Sequence, residues 1–232
     1  MTVLQASKVT RVLESTVPVT LVRDIDVTFD TGEFCAITGP SGSGKSSLLY
    51  LLGLLDVPTE GVIEIKGQDT SCLSADELAD IRLARLGFVF QFHFLLQEFT
   101  VRENVILPMR KLGKLSPGEA IDRADMLLAE LGLEEKLRSY PHMLSGGERQ
   151  RAAVARALAN DPLIVLADEP TGNLDTVNAN IVFDIFERLA NEQGRTVITV
   201  THDPDLSARA QRRIHLIDGQ VQPLPRASTR AM

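Results

Sequence analysis

The sequence predicts an α/β fold: a mainly parallel core sheet, a small antiparallel sheet beside it, and a helical segment inserted between two core strands. Three observations predict it. A phosphate-binding loop pattern, Gly39-Pro40-Ser41-Gly42-Ser43-Gly44-Lys45-Ser46, stands between a short apolar run and a helical one. An unbroken apolar run, Leu163-Ile164-Val165-Leu166-Ala167, has the character of a parallel strand covered on both faces and is followed directly by Asp168-Glu169. From residue 74 to residue 200, helical periodicity alternates with short β-type runs, the pattern of βα units.

In chain order, residues 1 to 34 alternate as half-buried strands do, most clearly at Ile25, Val27 and Phe29, before Asp30-Thr31-Gly32-Glu33 turns into the strand Phe34 to Thr38. The helix Ser46 to Leu52 follows the loop. Val62 to Ile65 with the Lys66-Gly67 turn predicts another antiparallel pair, and Ser74-Ala75-Asp76-Glu77 is a capping box opening a helix to about Arg85. The strand Leu86 to Phe90 ends on Gln91. From Thr100 to about Leu137 the pattern is helical, with Ser116-Pro117-Gly118-Glu119 starting its clearest stretch. A helix from Val177 to about Asn191, the strand Thr196 to Val200, and a terminal hairpin through Asp218-Gly219 complete the expected chain, with 223–232 as a frayed tail.

Composition narrows the function. Apolar residues are 44% and charged residues 24% of the 232, ordinary for a globular domain, and the net charge of −7 argues against nucleic acid or an anionic membrane surface as principal partner. Two cysteines, Cys35 and Cys72, lie far apart and suggest neither a disulfide framework nor a zinc site. The longest apolar run, Leu48 to Leu55, is far short of the ~20 residues a membrane span needs, and the first residues carry no export signal, so a cytoplasmic location is expected.

The loop glycines let backbone N–H groups turn inward, and the helix start adds partial positive charge, together a cradle for phosphate. Lys45 is placed to reach the β- and γ-phosphates, Ser46 to meet Mg²⁺, and Ser47 continues the helix N-terminus. Asp168 suits a Mg²⁺ partner, and Glu169 suits polarising an attacking water, although an acidic pair after a strand can also merely cap a turn. Leu144-Ser145-Gly146-Gly147-Glu148 reads two ways: Ser145 and Glu148 form a capping box, while Gly146 and Gly147 expose N–H groups at a helix start, again an anion site. His93, His142 and His215 have no ligand spacing, and Arg149 and Arg151 read as a solvated charged face.

In this order, the phosphate loop, Gln91 after a strand, Leu-Ser-Gly-Gly before a helix, Asp168-Glu169, Asp175 in Gly172-Asn173-Leu174-Asp175, and His202 after a strand, the chain resembles the ATPase subunit of an ABC transporter over about residues 1 to 221. The resemblance implies a P-loop NTPase of ABC ATPase type: a single domain over 1–222, with a helical subdomain at about 92–143 and the tail 223–232. It implies ATP and Mg²⁺ as ligands and a second copy of the chain as partner, with ATP held between the phosphate loop of one copy and the Leu-Ser-Gly-Gly stretch of the other. Ser145 and Gly147 would then contact the γ-phosphate of the partner's ATP. Gln91 would sense Mg²⁺ and the attacking water and couple to a membrane subunit, Asp175 would join the dimer contact, and His202 would hold the γ-phosphate and orient Glu169.

Within the family, Gln91-Phe92-His93-Phe94-Leu95-Leu96, with Phe99-Thr100 and Glu103-Asn104-Val105, and the stretch Leu166 to Asp175 are similar to the bacterial lipoprotein-release and macrolide-exporter ATPases, and Leu144 to Gln150 resembles the lipoprotein-release type. That branch implies permease subunits with a large periplasmic or extracellular domain and a peripheral position on the inner face of the membrane. A cell-division-type regulatory cassette is the alternative within the branch. Soluble DNA-maintenance or translation-associated cassettes fit less well, because the motifs are continuous, present once, and set in an acidic chain. Two departures stand out. Glu148 replaces the Gln frequent in the wider family, though not in the lipoprotein-release branch, and puts a carboxylate within a turn of a phosphate unless it folds back on Ser145. The family usually stacks adenine on an aromatic ring, but no aromatic precedes Phe29, so Val12 or a neighbour would offer an apolar contact instead.

Overall fold

The computed structural model describes residues 1–14 and 16–222, so the expected tail at 223–232 lies outside the described residues. Its central sheet has six strands in the order β10-β9-β3-β8-β7-β6. These are β3 (Phe34–Thr38), β6 (Leu86–Phe90), β7 (Ile164–Asp168), β8 (Thr196–Val200), β9 (Arg212–Ile217) and β10 (Gln220–Gln222). The pairings are parallel except for the β9/β10 hairpin. Parallel strands need crossovers, and helices supply them: α1 (Lys45–Leu52), α2 (Ala75–Arg85), α3 (Val101–Leu112), α4 (Pro117–Glu130), α5 (Gly146–Leu158), α6 (Thr176–Asn191) and the short α7 (Pro204–Ala208). The last of these has no counterpart in the sequence pattern, since a five-residue helix is too short for periodicity to register.

The second sheet is fully antiparallel, in the order β2-β1-β4-β5, built from β1 (Thr2–Leu13), β2 (Val19–Asp30), β4 (Glu60–Ile65) and β5 (Gln68–Asp69). Ile25, Val27 and Phe29 of β2 point inward, as their alternation requires.

Side chains of the central strands divide between the two faces with period two. Val165 and Ala167 of β7 join an apolar cluster with Phe183 and Phe186 of α6 and Val154 and Leu158 of α5. Ile164 and Leu166 join the opposite cluster, with α1 and the antiparallel sheet. Both faces are thus buried, which is why β7 reads as a continuous apolar run. Cys35 lies wholly in the second cluster, its thiol pushed up to about 12 by burial, a core residue and not a reactive one.

Helices α2, α3, α4 and α5 each begin with a capping box, in which a Ser or Thr accepts from the third backbone N–H and a Glu reaches back to the cap's own N–H. At α5 this answers the question raised by Glu148. Ser145 N donates to Glu148 Oε2 at 2.7 Å, Glu148 N donates to Ser145 Oγ at 3.2 Å, and Lys136 Nζ stands 3.4 Å from Glu148 Oε1. The hydrogen bond from the Ser145 backbone is the largest influence holding this carboxyl below its ordinary value.

The segment leading into α3 is fastened by Asn104, which is fully buried. Its Oδ1 accepts from Leu96 N at 2.8 Å, and its Nδ2 donates to Leu96 O, Phe99 O and Thr100 O at 3.0, 3.1 and 3.0 Å. Asn104→Ala takes from Leu96 N and Phe99 O their side-chain partner, while Leu96 O and Thr100 O keep Phe99 N and Asn104 N, and is expected to destabilise the protein by about 2 kcal/mol in urea unfolding.

A second expectation concerns pH. Because the folded-state pKa of Glu148 is depressed below the ordinary 4.5, its contribution to stability is present above that value and is lost as pH falls through the folded value. Unfolding midpoints followed from about pH 6 to about pH 3 should therefore show a Glu148→Gln variant less stable than the parent at the upper end, with the gap closing at the lower.

Candidate functional site: a nucleotide cleft at the carboxyl edge of the central sheet

Register places the chemistry. Phe90, Asp168, Val200 and Ile37 lie abreast on β6, β7, β8 and β3. The next residues outward are therefore Gln91, Glu169, the Thr201-His202 pair, and Thr38 leading into the loop at Gly39. All leave the sheet at its carboxyl edge, where open α/β sheets hold their ligands. Asp168 is the last residue of β7, where the apolar run alone ended the strand at Ala167; its backbone takes part in the ladder, while its side chain stays at the edge.

Gly39 to Gly44 form the turn between β3 and α1, and Lys45, Ser46 and Ser47 begin the helix. Gly44 caps α1 in the left-handed region, at φ 93°, and a Cβ there would lie 2.3 Å from Leu21 O, so the position demands glycine on both counts. Lys45 Nζ donates to Gly39 O at 3.0 Å and Pro40 O at 2.8 Å, which takes two of its three donors and folds the ammonium over the loop. Ser43 Oγ is buried with no hydrogen-bond partner among the described residues.

Ser46 Oγ donates to Asp168 Oδ1 at 2.8 Å, and Tyr50 OH donates to Asp168 Oδ2 at 2.8 Å. One carboxylate thus joins the loop helix to β7. Burial, reinforced by the neighbouring carboxylate, pushes the Tyr50 phenol up to about 12 and keeps it a donor. Tyr50 was not singled out in the sequence, and its i+4 spacing from Ser46, which puts both hydroxyls on one helix face, is the signal that could have found it.

Glu169 adopts φ 47°, uncommon for a residue with a side chain, and its turn is closed by Glu169 N donating to Val200 O at 3.0 Å and Gly172 N donating to Glu169 O at 3.1 Å. In that pose Glu169 Oε2 lies 2.7 Å from His202 Nδ1. Gln91 Nε2 donates to Asn173 Oδ1 at 3.3 Å, linking the end of β6 to the turn that precedes Asp175. Asp175 caps α6, accepting from Asn178 N and Asn178 Nδ2, each at 2.8 Å. Asn178 in turn abuts Gly147, where a Cβ would come within 2.0 Å of its Oδ1, so Gly147 permits the close approach of α5 to α6. Arg149 donates to Leu144 O and Arg151 to Asn178 Oδ1, so this pair is tied into the fold and is not the purely solvated face expected from charge alone.

A cavity of about 570 Å³ is lined by Ser41, Gly42, Gly44, Lys45, Ser46, Ser47 and Glu169, with Val19, Thr20 and Leu21 of β2 and the Asp218-Gly219 turn. Gln91, Ser145, Gly146, Gly147, Asp175 and His202 are not among its lining residues. Nor is Val12, the apolar contact expected from the sequence: β2, its pairing partner, supplies the wall. Among the described residues no cluster of three or more His, Cys, Asp or Glu forms a metal site, but Ser46 and Asp168 together offer two hard oxygens, a donor set that fits Mg²⁺ completed by phosphate and water. The arrangement suits phosphoryl transfer: a phosphate cradle, a lysine, two oxygens for a cation, and a carboxylate paired with a histidine at the cleft's edge.

Comparison with known proteins agrees with this geometry. Residues 22–172 match the family model described as ABC transporter. The chain is 48% identical to "Lipoprotein-releasing system ATP-binding protein LolD 1" of Chlorobium chlorochromatii, over 95% of this chain and 90% of that one, and 50% identical to LolD of Aquifex aeolicus, over 87% and 89%. Among solved structures it superposes with a TM-score of 0.88 and 39% identity on a dimeric post-hydrolysis state of the ATP-binding cassette MJ0796 bound to ADP and Pi, covering 95% of this chain and 97% of that one. A second dimeric structure of MJ0796 gives the same TM-score at 40% identity. The chain belongs to the ABC transporter family, as one of its ATP-binding and ATP-hydrolysing cassettes.

Proposed function

We propose that this cassette is the ATPase of a lipoprotein-release type complex, in which two copies close around Mg²⁺-ATP and drive work by membrane subunits. The observation that carries the shared-site reading is the separation within one chain: Lys45, Ser46 and Glu169 line the nucleotide cleft, while Ser145-Gly146-Gly147 opens α5 outside it. The capping box takes the N–H groups of Ser145 and Glu148, so those of Gly146 and Gly147 are the ones offered to an anion brought by a second copy. The Glu148 carboxylate is shared between Ser145 N and Lys136, which offsets part of its repulsion there.

In this reading Gly39 to Ser47 hold the phosphates through backbone N–H groups and Lys45, and Ser46, Asp168 and Gln91 are the residues that would hold Mg²⁺. Held there, the cation would neutralise charge developing on the phosphate oxygens. Glu169 accepts the proton of the water that attacks the γ-phosphorus as ADP departs, and His202, already paired with it through Nδ1, fixes the carboxylate and holds the γ-phosphate on its other side. Asp175, at the cap of α6 beside Gly147, joins the contact between copies.

The relatives named as lipoprotein-releasing ATP-binding proteins support that cargo class. A cavity of about 370 Å³ between β6, α2 and α5, lined by Leu55, Leu83, Phe88, Phe90 and Pro108, supports docking of a membrane subunit, with the exposed Phe92 and Phe94 following directly on β6; in this reading that subunit carries a large periplasmic or extracellular domain. No helix among the described residues is long and apolar enough to cross a membrane, which fits a peripheral place on its inner face.

Glu169→Gln is expected to bind ATP yet hydrolyse it at least about a hundredfold more slowly, accumulating closed dimer in size-exclusion chromatography with ATP. Rapid turnover by that variant removes Glu169 from the proton-accepting role. Ser145→Arg should abolish both hydrolysis and ATP-induced dimerisation while leaving monomer binding of nucleotide intact; a variant that still dimerises and turns over would defeat the shared-site model.

A further inference from the structure

Beyond the phosphate loop, the cleft changes character. The wall that remains for the base and sugar consists of Val19, Thr20 and Leu21 at the start of β2 and the Asp218-Gly219 turn. Among the described residues none of these lining groups is aromatic. Phe29, the first aromatic of the chain, is fully buried in β2, and Tyr50 is committed to Asp168. Val19, the lining residue at the start of β2, is 50% exposed and pairs across the hairpin with the exposed Leu13, so this part of the wall is aliphatic.

The wall is also fixed in place. Gly219 N donates to Ser43 O at 3.0 Å and Arg23 N donates to Gly219 O at 2.8 Å, so the turn, β2 and the phosphate loop are bonded to one another. Its one charged side chain is Asp218. A carboxylate can accept from the N6 amine of adenine, but equally from N1–H and N2 of guanine, N4 of cytosine or N3–H of uracil, so it does not single out adenine. Base recognition rests on stacking surfaces and on edge contacts that discriminate; this wall has no ring, and the Thr20 hydroxyl, able both to donate and to accept, suits the edge of any base as Asp218 does.

We propose that this chain binds ribonucleoside triphosphates with little regard to the base, the triphosphate supplying nearly all of the affinity. This deepens the ATPase reading and rests on it: residues 39–46 must be the triphosphate site. GTP, CTP and UTP then compete for the cleft alongside ATP, and Val19 is the position from which base affinity can be tuned.

The test is competition of ATP, GTP, CTP, UTP and inorganic tripolyphosphate against a ribose-labelled fluorescent ATP, on the full chain with Mg²⁺. The expected result is four nucleotide affinities within about tenfold of one another, with tripolyphosphate close behind. ATP binding more than about tenfold tighter than CTP overturns the inference while leaving the ATPase reading standing. Failure of every competitor, tripolyphosphate included, overturns the triphosphate site itself and the inference with it. Val19→Tyr places a ring on an exposed strand position that tolerates one. It should tighten nucleotides by about five- to a hundredfold, purines most, and leave tripolyphosphate unchanged. Unchanged nucleotide affinity in that variant puts the base elsewhere and also overturns the assignment.

Discussion

The Asp168 carboxylate is the junction on which the site depends. It is largely buried, and a buried charge is tolerable only if it is hydrogen-bonded. Both of its oxygens are engaged, one by Ser46 and one by Tyr50, so the first turns of α1 are tied to the end of β7. The tie needs β7 to end level with the phosphate loop, which follows from the parallel register that sets Asp168 beside Val200 and Val200 beside Ile37. A slip of one residue would turn Asp168 to the opposite face of the sheet and leave an apolar side chain against Ser46. Catalytic geometry here is a consequence of strand register, and register is held by the two apolar faces of the sheet.

A different kind of economy governs the helix starts. The same local device, a Ser or Thr with a Glu three residues on, opens α2, α3, α4 and α5. At the first three it only satisfies orphan N–H groups. At α5 it also holds a carboxylate on the cap, where Lys136 stands 3.4 Å away and offsets part of its charge.

Much of this was legible in the residues. The phosphate loop, the strands 34–38, 86–90 and 196–200, the capping boxes at Ser74 and Ser145 and the terminal hairpin are local patterns, and the structure has them where the sequence places them. Less legible were features whose partners are remote in the chain. Tyr50 gives no sign of its role until β7 is alongside. Asn173 meets Gln91 across 82 positions, and Asn178 meets Gly147 of α5 only because α5 and α6 approach there. Asn104, a polar residue in an apolar helix pattern, is a clasp for a loop that lies earlier in the chain.

The sequence by itself determined the kind of protein, because phosphate binding and helix capping are written in spacings of three to eight residues. Tertiary structure decided which residues wall the cleft beyond the phosphate loop. It brought β2 and the Asp218-Gly219 turn to the phosphate loop from opposite ends of the chain, displaced Val12 from the wall, and set Glu169 in a left-handed turn against His202. Those outcomes depend on which strands pair and at what register, and pairing is settled by burying both faces of a sheet at once, a property of the whole chain and of no single stretch of it.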